Sequence, residues 1–166
     1  MPSATECAAP RPPREAIASP TLHVRSRRFG SFDIAAGAVV DVPQGLVGFP
    51  QLKRYVVLDH RPGSPFKWLL AVDDPELAFA VANPCELVAG YDPPLELAAR
   101  LLETDAREVA LLVIVTIPPD PTLMTVNLMA PVVVDLRTQR ARQIVLDDPR
   151  CPPDYLVVRR PVAARA

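Results

Sequence analysis

Short apolar runs recur along this chain, and a turn signal cuts off each one within a few residues. Across residues 21–29, Leu22 and Val24 alternate with polar positions and then meet Arg25, Arg27 and Arg28, which predicts a half-exposed edge strand. Residues 32–34 and 39–42 continue the β pattern across a turn at Gly37. Residues 55–58, 68–72 and 77–82 predict three antiparallel neighbours. Between them lie Arg61-Pro62-Gly63-Ser64-Pro65 and Asp73-Asp74-Pro75, where proline presets φ, glycine relaxes it and aspartate oxygens start turns. Residues 109–117 form the longest run, rich in Val and Ile, and predict a central strand buried on both faces. Residues 124–128, 131–136, 142–146 and 155–158 predict further strands. Only residues 95–103 change period, with apolar positions at 95, 98, 101 and 102 behind Pro93-Pro94, and they predict one helix. About ten short strands and one short helix make an all-β, mainly antiparallel domain, barrel-like or a sandwich.

Proline explains the shortness of these elements. The chain has 21 prolines in 166 residues, and because proline breaks helices and donates nothing to a ladder, their spacing leaves no room for long elements. Five prolines fall in the first 20 residues among Ala and Arg without periodicity, so 1–20 reads as a disordered tail. Residues 159–166 read as a second, basic tail, which leaves a single domain over 21–158. Inside it, Pro43-Gln44-Gly45-Leu46-Val47-Gly48-Phe49-Pro50 fits neither strand nor helix and predicts a structured loop, at least one of whose glycines needs positive φ.

Charge divides the chain in the same way. Residues 1–28 carry five Arg and two Glu and residues 159–166 three Arg, which leaves 10 basic and 17 acidic residues, a net −7, across 29–158. An acidic body with 5% aromatic residues lacks the basic face and stacking rings of a nucleic-acid binder. No run approaches the roughly 20 apolar residues that cross a bilayer, and the stretch holding Glu6, Arg11, Arg14 and Glu15 lacks a signal peptide's apolar block. The expectation is a cytoplasmic protein with no membrane partner, whose Cys7, Cys85 and Cys151 are reduced thiols.

Candidate chemistry is sparse. His23 and His60 are the available imidazoles and read as solvated surface groups. Cys85, in Asn83-Pro84-Cys85-Glu86, reads as a small core hydrophobe rather than a nucleophile. Asp73-Asp74-Pro75 and Asp147-Asp148-Pro149 end apolar runs and are explained as turns rather than metal ligands. Phosphate-binding, nucleophile-elbow and zinc motifs are absent from the sequence. No enzyme, cofactor or metal site is expected.

Three stretches carry a resemblance. Gln44-Gly45-Leu46-Val47-Gly48-Phe49-Pro50 is the first. The second is Pro65-Phe66-Lys67-Trp68-Leu69-Leu70 followed by Asp73-Asp74-Pro75-Glu76-Leu77-Ala78-Phe79-Ala80-Val81. The third is Val126-Asn127-Leu128-Met129-Ala130-Pro131-Val132-Val133-Val134-Asp135, then Gln143-Ile144-Val145-Leu146. In this order and spacing they resemble the flagellar assembly factor FliW family over about residues 22–158. Val47 stands where that family commonly has proline, and the end of the chain keeps only an aromatic-then-basic character. The resemblance implies a non-catalytic cytoplasmic protein that binds flagellin and, when free, binds and antagonises CsrA, an RNA-binding repressor of flagellin translation. A second reading is a β scaffold whose basic tails bind protein or nucleic acid.

Individual residues then acquire roles. Gly45, Gly48, Ala130 and Pro131 are motif positions that shape loops, and Phe49, Trp68 and Phe79 are core or loop anchors, since large rings dominate burial. Asn127 reads first as satisfying backbone groups of its own loop and second as a candidate for partner contact. Asp73, Asp74 and Glu76, the acidic group beside the motifs, are the candidates for binding a basic partner.

Overall fold

The computed structural model describes residues 20–157. Its strands are β1 (Thr21–Ser26), β2 (Gly30–Ala35), β3 (Val39–Asp41), β4 (Arg54–Asp59), β5 (Phe66–Ala71), β6 (Ala78–Ala82), β7 (Val109–Thr116), β8 (Thr125–Val126), β9 (Val132–Asp135), β10 (Ala141–Gln143) and β11 (Tyr155–Leu156). Two helices, α1 (Pro84–Leu87) and α2 (Leu95–Leu102), lie between β6 and β7. The predicted terminal tails fall outside the described residues, apart from Pro20, whose carbonyl accepts from the Ala36 amide at 2.9 Å.

The fold is mainly antiparallel, as the pattern predicts. One sheet runs β10-β9-β7-β6-β5-β4-β3, with β8 added on β7 and β11 on β8, while β1 and β2 form a separate hairpin. The sheet curls until its ends touch: the Asp41 amide donates to the Gln139 carbonyl at 2.8 Å, and a single parallel bridge joins Asp41 to Arg140. The next donor along that register is residue 43, a proline with no N–H, so the ladder stops there and the barrel-like sheet keeps a seam.

Alternation explains what the curl encloses. Val40, Tyr55, Leu69, Ala71, Val81, Ala110, Leu112, Val132, Val134 and Ala141 point inward from seven strands into one cluster. The intervening residues face outward and are covered separately. Val24 and Ile34 of the β1–β2 hairpin cover Val56 and Leu70, while Ala98 and Ala99 of α2 cover Val109, Leu111 and Val133. Further along β7, Val113 and Val115 pack with Val126, Leu128 and Val157. Covered on both sides, β7 is apolar from Val109 to Val115, and it bonds β6 along one edge and β9 and β8 along the other.

Differences from the sequence reading lie at element ends. Helix α2 occupies the predicted place and stops at Glu103, which takes a left-handed conformation (φ 55°). The one-turn α1 was not expected, because four residues are too few to show a helical period. Its signal is local: Pro84 sits in the first turn, and the Asn83 side chain accepts from the Cys85 amide at 3.0 Å. Three predicted strands shrink to two or three residues, at β8, β10 and β11. Past β10, single bonds from Ile144 to Pro131 and from Leu146 to Met129 carry on in place of a ladder.

The loop after β3 requires its glycines differently. Both have positive φ, 69° at Gly45 and 86° at Gly48, but a Cβ on Gly45 would lie 2.5 Å from the Phe49 carbonyl oxygen, whereas one on Gly48 meets nothing within 4 Å. Gly48→Ala therefore costs only its backbone conformation, about 1–2 kcal/mol, and Gly45→Ala costs that and the displacement of Phe49 and Pro50. Urea midpoints fall further for Gly45→Ala; coincident midpoints would refute the contact.

Asp135, 2% exposed, holds the β9–β10 turn that delivers Gln139 to the seam. Burial pushes its carboxyl pKa up, but the Thr138 hydroxyl at 2.7 Å and the Arg137 amide at 2.9 Å prevail and hold it below the ordinary carboxylate range. A depressed folded pKa stabilises the fold fully above the unfolded value of about 3.9 and loses that stabilisation as pH falls through the folded value. Asp135→Asn melts lower than wild type at pH 7, and the gap narrows steadily from about pH 4 downward. A gap independent of pH contradicts this.

Candidate functional site

Strands β3, β5 and β10 end, and β4, β6 and β9 begin, at one end of the curled sheet. The three motif stretches, far apart in sequence, therefore share one mouth. The loop after β3 plugs it: Leu46 and Leu52 are buried in the interior cluster, and the Phe49 ring meets Phe79 of β6 edge to face at 5.3 Å. Inside the loop, the Gly45 amide donates to Val42 and the Phe49 amide to Leu46, both at 2.8 Å.

Gln143 ties this plug to the third motif. Its Oε1 accepts from the Val47 amide at 2.8 Å, and its Nε2 donates to the Ala130 carbonyl at 3.0 Å. Proline at position 47 would lack the N–H for the first bond. Asn127 completes the loop, its Oδ1 accepting from the Ala130 amide at 3.0 Å, and buried Pro131 leads into β9. Of the two readings of Asn127, the structure displays the backbone-satisfying one directly. Gln143 carries no role in the sequence reading, because a lone glutamine at a strand end gives no signal of which backbone groups it will meet.

The acidic turn between β5 and β6 occupies the same end. Asp73, Asp74 and Glu76 are all exposed, and the turn closes through the Leu77 amide and the Asp74 carbonyl at 2.9 Å. All three acids already hold partners, Asp74 accepting from the Glu76 amide at 3.4 Å. Arg54 Nε donates to Asp73 at 3.1 Å, and the Arg27 amide, at the tip of the β1–β2 hairpin, donates to Glu76 at 2.8 Å. Beneath them lies Tyr55, whose phenol pKa is pushed up to about 12, first by burial and then by the Asp73 charge. Beside the plug, Val47 and Val145 expose 69% and 67% of their surface. The mouth thus presents acidic and apolar groups on a hydrogen-bonded base.

Trp68 does not join this group. It lies on the outer face of β5, where its ring meets Phe29 at 5.6 Å, lies 4.3 Å from the Arg28 guanidinium and donates to His60 Nδ1 at 3.3 Å. His23 is engaged elsewhere, 2.6 Å from Asp33 within the hairpin. Among the described residues no three His, Cys, Asp or Glu side chains group to hold a metal ion, and no helix is long and apolar enough to cross a membrane.

A curled antiparallel sheet, plugged at one mouth by a glycine-dependent loop and rimmed with acids, defines a class of small, mainly antiparallel β domain. The chain belongs to the FliW family: the model of the FliW protein family matches residues 23–157. It is 37% identical over 134 residues to the flagellar assembly factor FliW of Caldicellulosiruptor saccharolyticus, covering 80% of this chain and 88% of that protein. It is 41% identical over 128 residues to the FliW of Geotalea uraniireducens, covering 76% and 78%. A crystal structure of the flagellar assembly factor FliW superposes with a TM-score of 0.74 at 26% identity, covering 84% of this chain and 99% of that one.

Because Gln143 joins two motif loops by two hydrogen bonds, Gln143→Leu should cost about 1–3 kcal/mol, the worth of two such bonds. Hydrogen exchange at the Val47 amide should accelerate with it. Unchanged exchange at Val47 would show that the plug is held without the glutamine.

Proposed function

We propose that this chain is a cytoplasmic flagellar assembly factor that holds flagellin and, once flagellin is exported, binds and antagonises the translational repressor CsrA. Export is thereby coupled to flagellin translation. It acts by binding alone, without catalysis or cofactor. The observation that carries this reading is the convergence of the family's motifs and the acidic turn on one mouth of a body with net charge −7 across 29–158. An RNA-binding regulator presents a basic surface, and complementary fields speed encounter and favour that partner over others. Asp73 and Glu76, oriented by Arg54 and by the Arg27 amide, and Asp74 beside them are the docking acids. Asn127 contributes by holding the neighbouring loop in shape. Exposed Val47 and Val145 offer the apolar contact that a flagellin segment needs. The same net charge repels nucleic acid from the body, so the partners are proteins.

The test neutralises charge and keeps geometry: in the triple variant Asp73→Asn, Asp74→Asn, Glu76→Gln, side-chain oxygens still accept from Arg54 and Arg27. Association with CsrA should slow about tenfold at low salt and differ little near 1 M, where the Debye length is about 3 Å. An unchanged rate at low salt removes the turn from the interface. Failure of the unaltered protein to bind either flagellin or CsrA overturns the proposal.

A further inference from the structure

Both histidines of the chain serve the β1–β2 hairpin, His23 inside it and His60 beside the residue on which its tip rests. The hairpin shares no ladder with the larger sheet. Its middle packs on Val56 and Leu70 through Val24 and Ile34. Its tip is shaped by the buried Ser26 hydroxyl, which accepts from the Arg28 and Phe29 amides at 3.2 and 3.3 Å, and it rests on Trp68. There the Phe29 ring meets the indole edge to face, and the Arg28 guanidinium lies over the indole at 4.3 Å. On its other side the indole Nε1 donates to His60 Nδ1 at 3.3 Å, with the two rings inclined at 75°. Within the hairpin, His23 Nδ1 lies 2.6 Å from the carboxylate of Asp33, its register partner.

We infer that the β1–β2 hairpin is a pH-responsive flap, docked at its tip while His60 is neutral and released there when His60 takes up a proton. Imidazole is the side chain whose charge ordinarily changes between about pH 5 and 8, and the two histidines answer that change in opposite senses. At His60 the nitrogen that accepts from Trp68 is the one that gains the proton, since the neutral Nδ1 supplies the lone pair. Two donors then face each other, and the positive edge of the indole meets a cation. The neighbouring charges reinforce the effect. Arg28 already occupies the indole face, Arg61 follows His60 in the chain, and Asp59, which precedes it, is paired with Lys67 of β5. At His23, protonation turns the contact with Asp33 into an ion pair, with Arg25 two positions along the same face. Acidification therefore tightens the hairpin on itself and loosens its tip from the sheet, so docking is complete at high pH and lost as pH falls. The contacts of Val24 and Ile34 do not titrate and confine the movement to the tip. The Arg27 amide moves with that tip, which frees Glu76 in the acidic turn.

Trp68 is the only tryptophan in the sequence, so the full chain carries its own reporter. The experiment compares about pH 7.5 with about pH 5.5, a span over which carboxylates stay ionised and imidazole titrates. On acidification the Trp68 emission should move to longer wavelength. The exchange protection factor of the Arg27 amide should fall about tenfold, the worth of one hydrogen bond, while the Leu69 and Leu70 amides of β5 keep theirs. His60→Asn, which retains an oxygen acceptor and cannot titrate, should hold both readings at their high-pH values throughout. His60→Phe, which has no acceptor, should give the low-pH values at either pH, and His23→Asn should leave the Trp68 response in place. Three outcomes would each overturn the inference: no change in the unaltered protein, a change that survives in His60→Asn, or an equal loss of protection in β5, which signifies general unfolding. The measurement on the unaltered protein stands even where a variant folds poorly. Loss of flagellin or CsrA binding leaves it untouched, because neither is present in the assay.

Discussion

Leu111 and Leu112 are adjacent in the chain, and both are at most 1% exposed, on opposite sides of one strand. Leu112 belongs to the interior cluster and Leu111 to the layer under α2. Every other part of the fold answers to that two-sided demand. The inner faces are closed by curling the sheet on itself and the outer faces by the hairpin, α2 and the β8–β11 arm. Hydrophobic area, which follows burial and not direction, is satisfied by either route.

Curling has a geometric cost that the loops absorb. A sheet whose ends meet at one bridge has an open mouth and an open seam, and each would expose the interior to water. At the mouth, Leu46, Phe49 and Leu52 fold back into the core over a turn that only glycine at position 45 permits. Gln143 then satisfies backbone groups of two loops at once, which matters because a loop pressed against apolar residues has little water to bond. The conformation-demanding residues therefore gather where the acidic turn is displayed, and the proposed docking surface acquires a rigid base from the same interactions that close the core.

Charge follows a similar logic. The acids of the turn are steadied by Arg54 and by the hairpin backbone, so their carboxylates are placed without being neutralised wholesale. At the seam Arg140 and Arg142 take part in none of the five ion pairs found among the described residues.

Much of this was determined by the sequence alone. Proline spacing limited the strands to a few residues, and the unbroken apolar run that became β7 announced burial on both faces. Alternation elsewhere assigned inward and outward residues, and the motif stretches marked the family. These features depend on local chemistry: where φ is locked, where a donor is missing, which side of a strand is apolar. What tertiary structure alone decided was which distant residues meet. No local rule says that Gln143 will find Val47 and Ala130, that Glu76 will cap the hairpin tip at Arg27, or that Pro43 will fall where the ladder would otherwise close. Nor could four residues at α1, or two at β8, show a period long enough to be read. Those outcomes follow from register and curl, which are set by the burial of the whole sheet at once, and the candidate sites consist of such meetings.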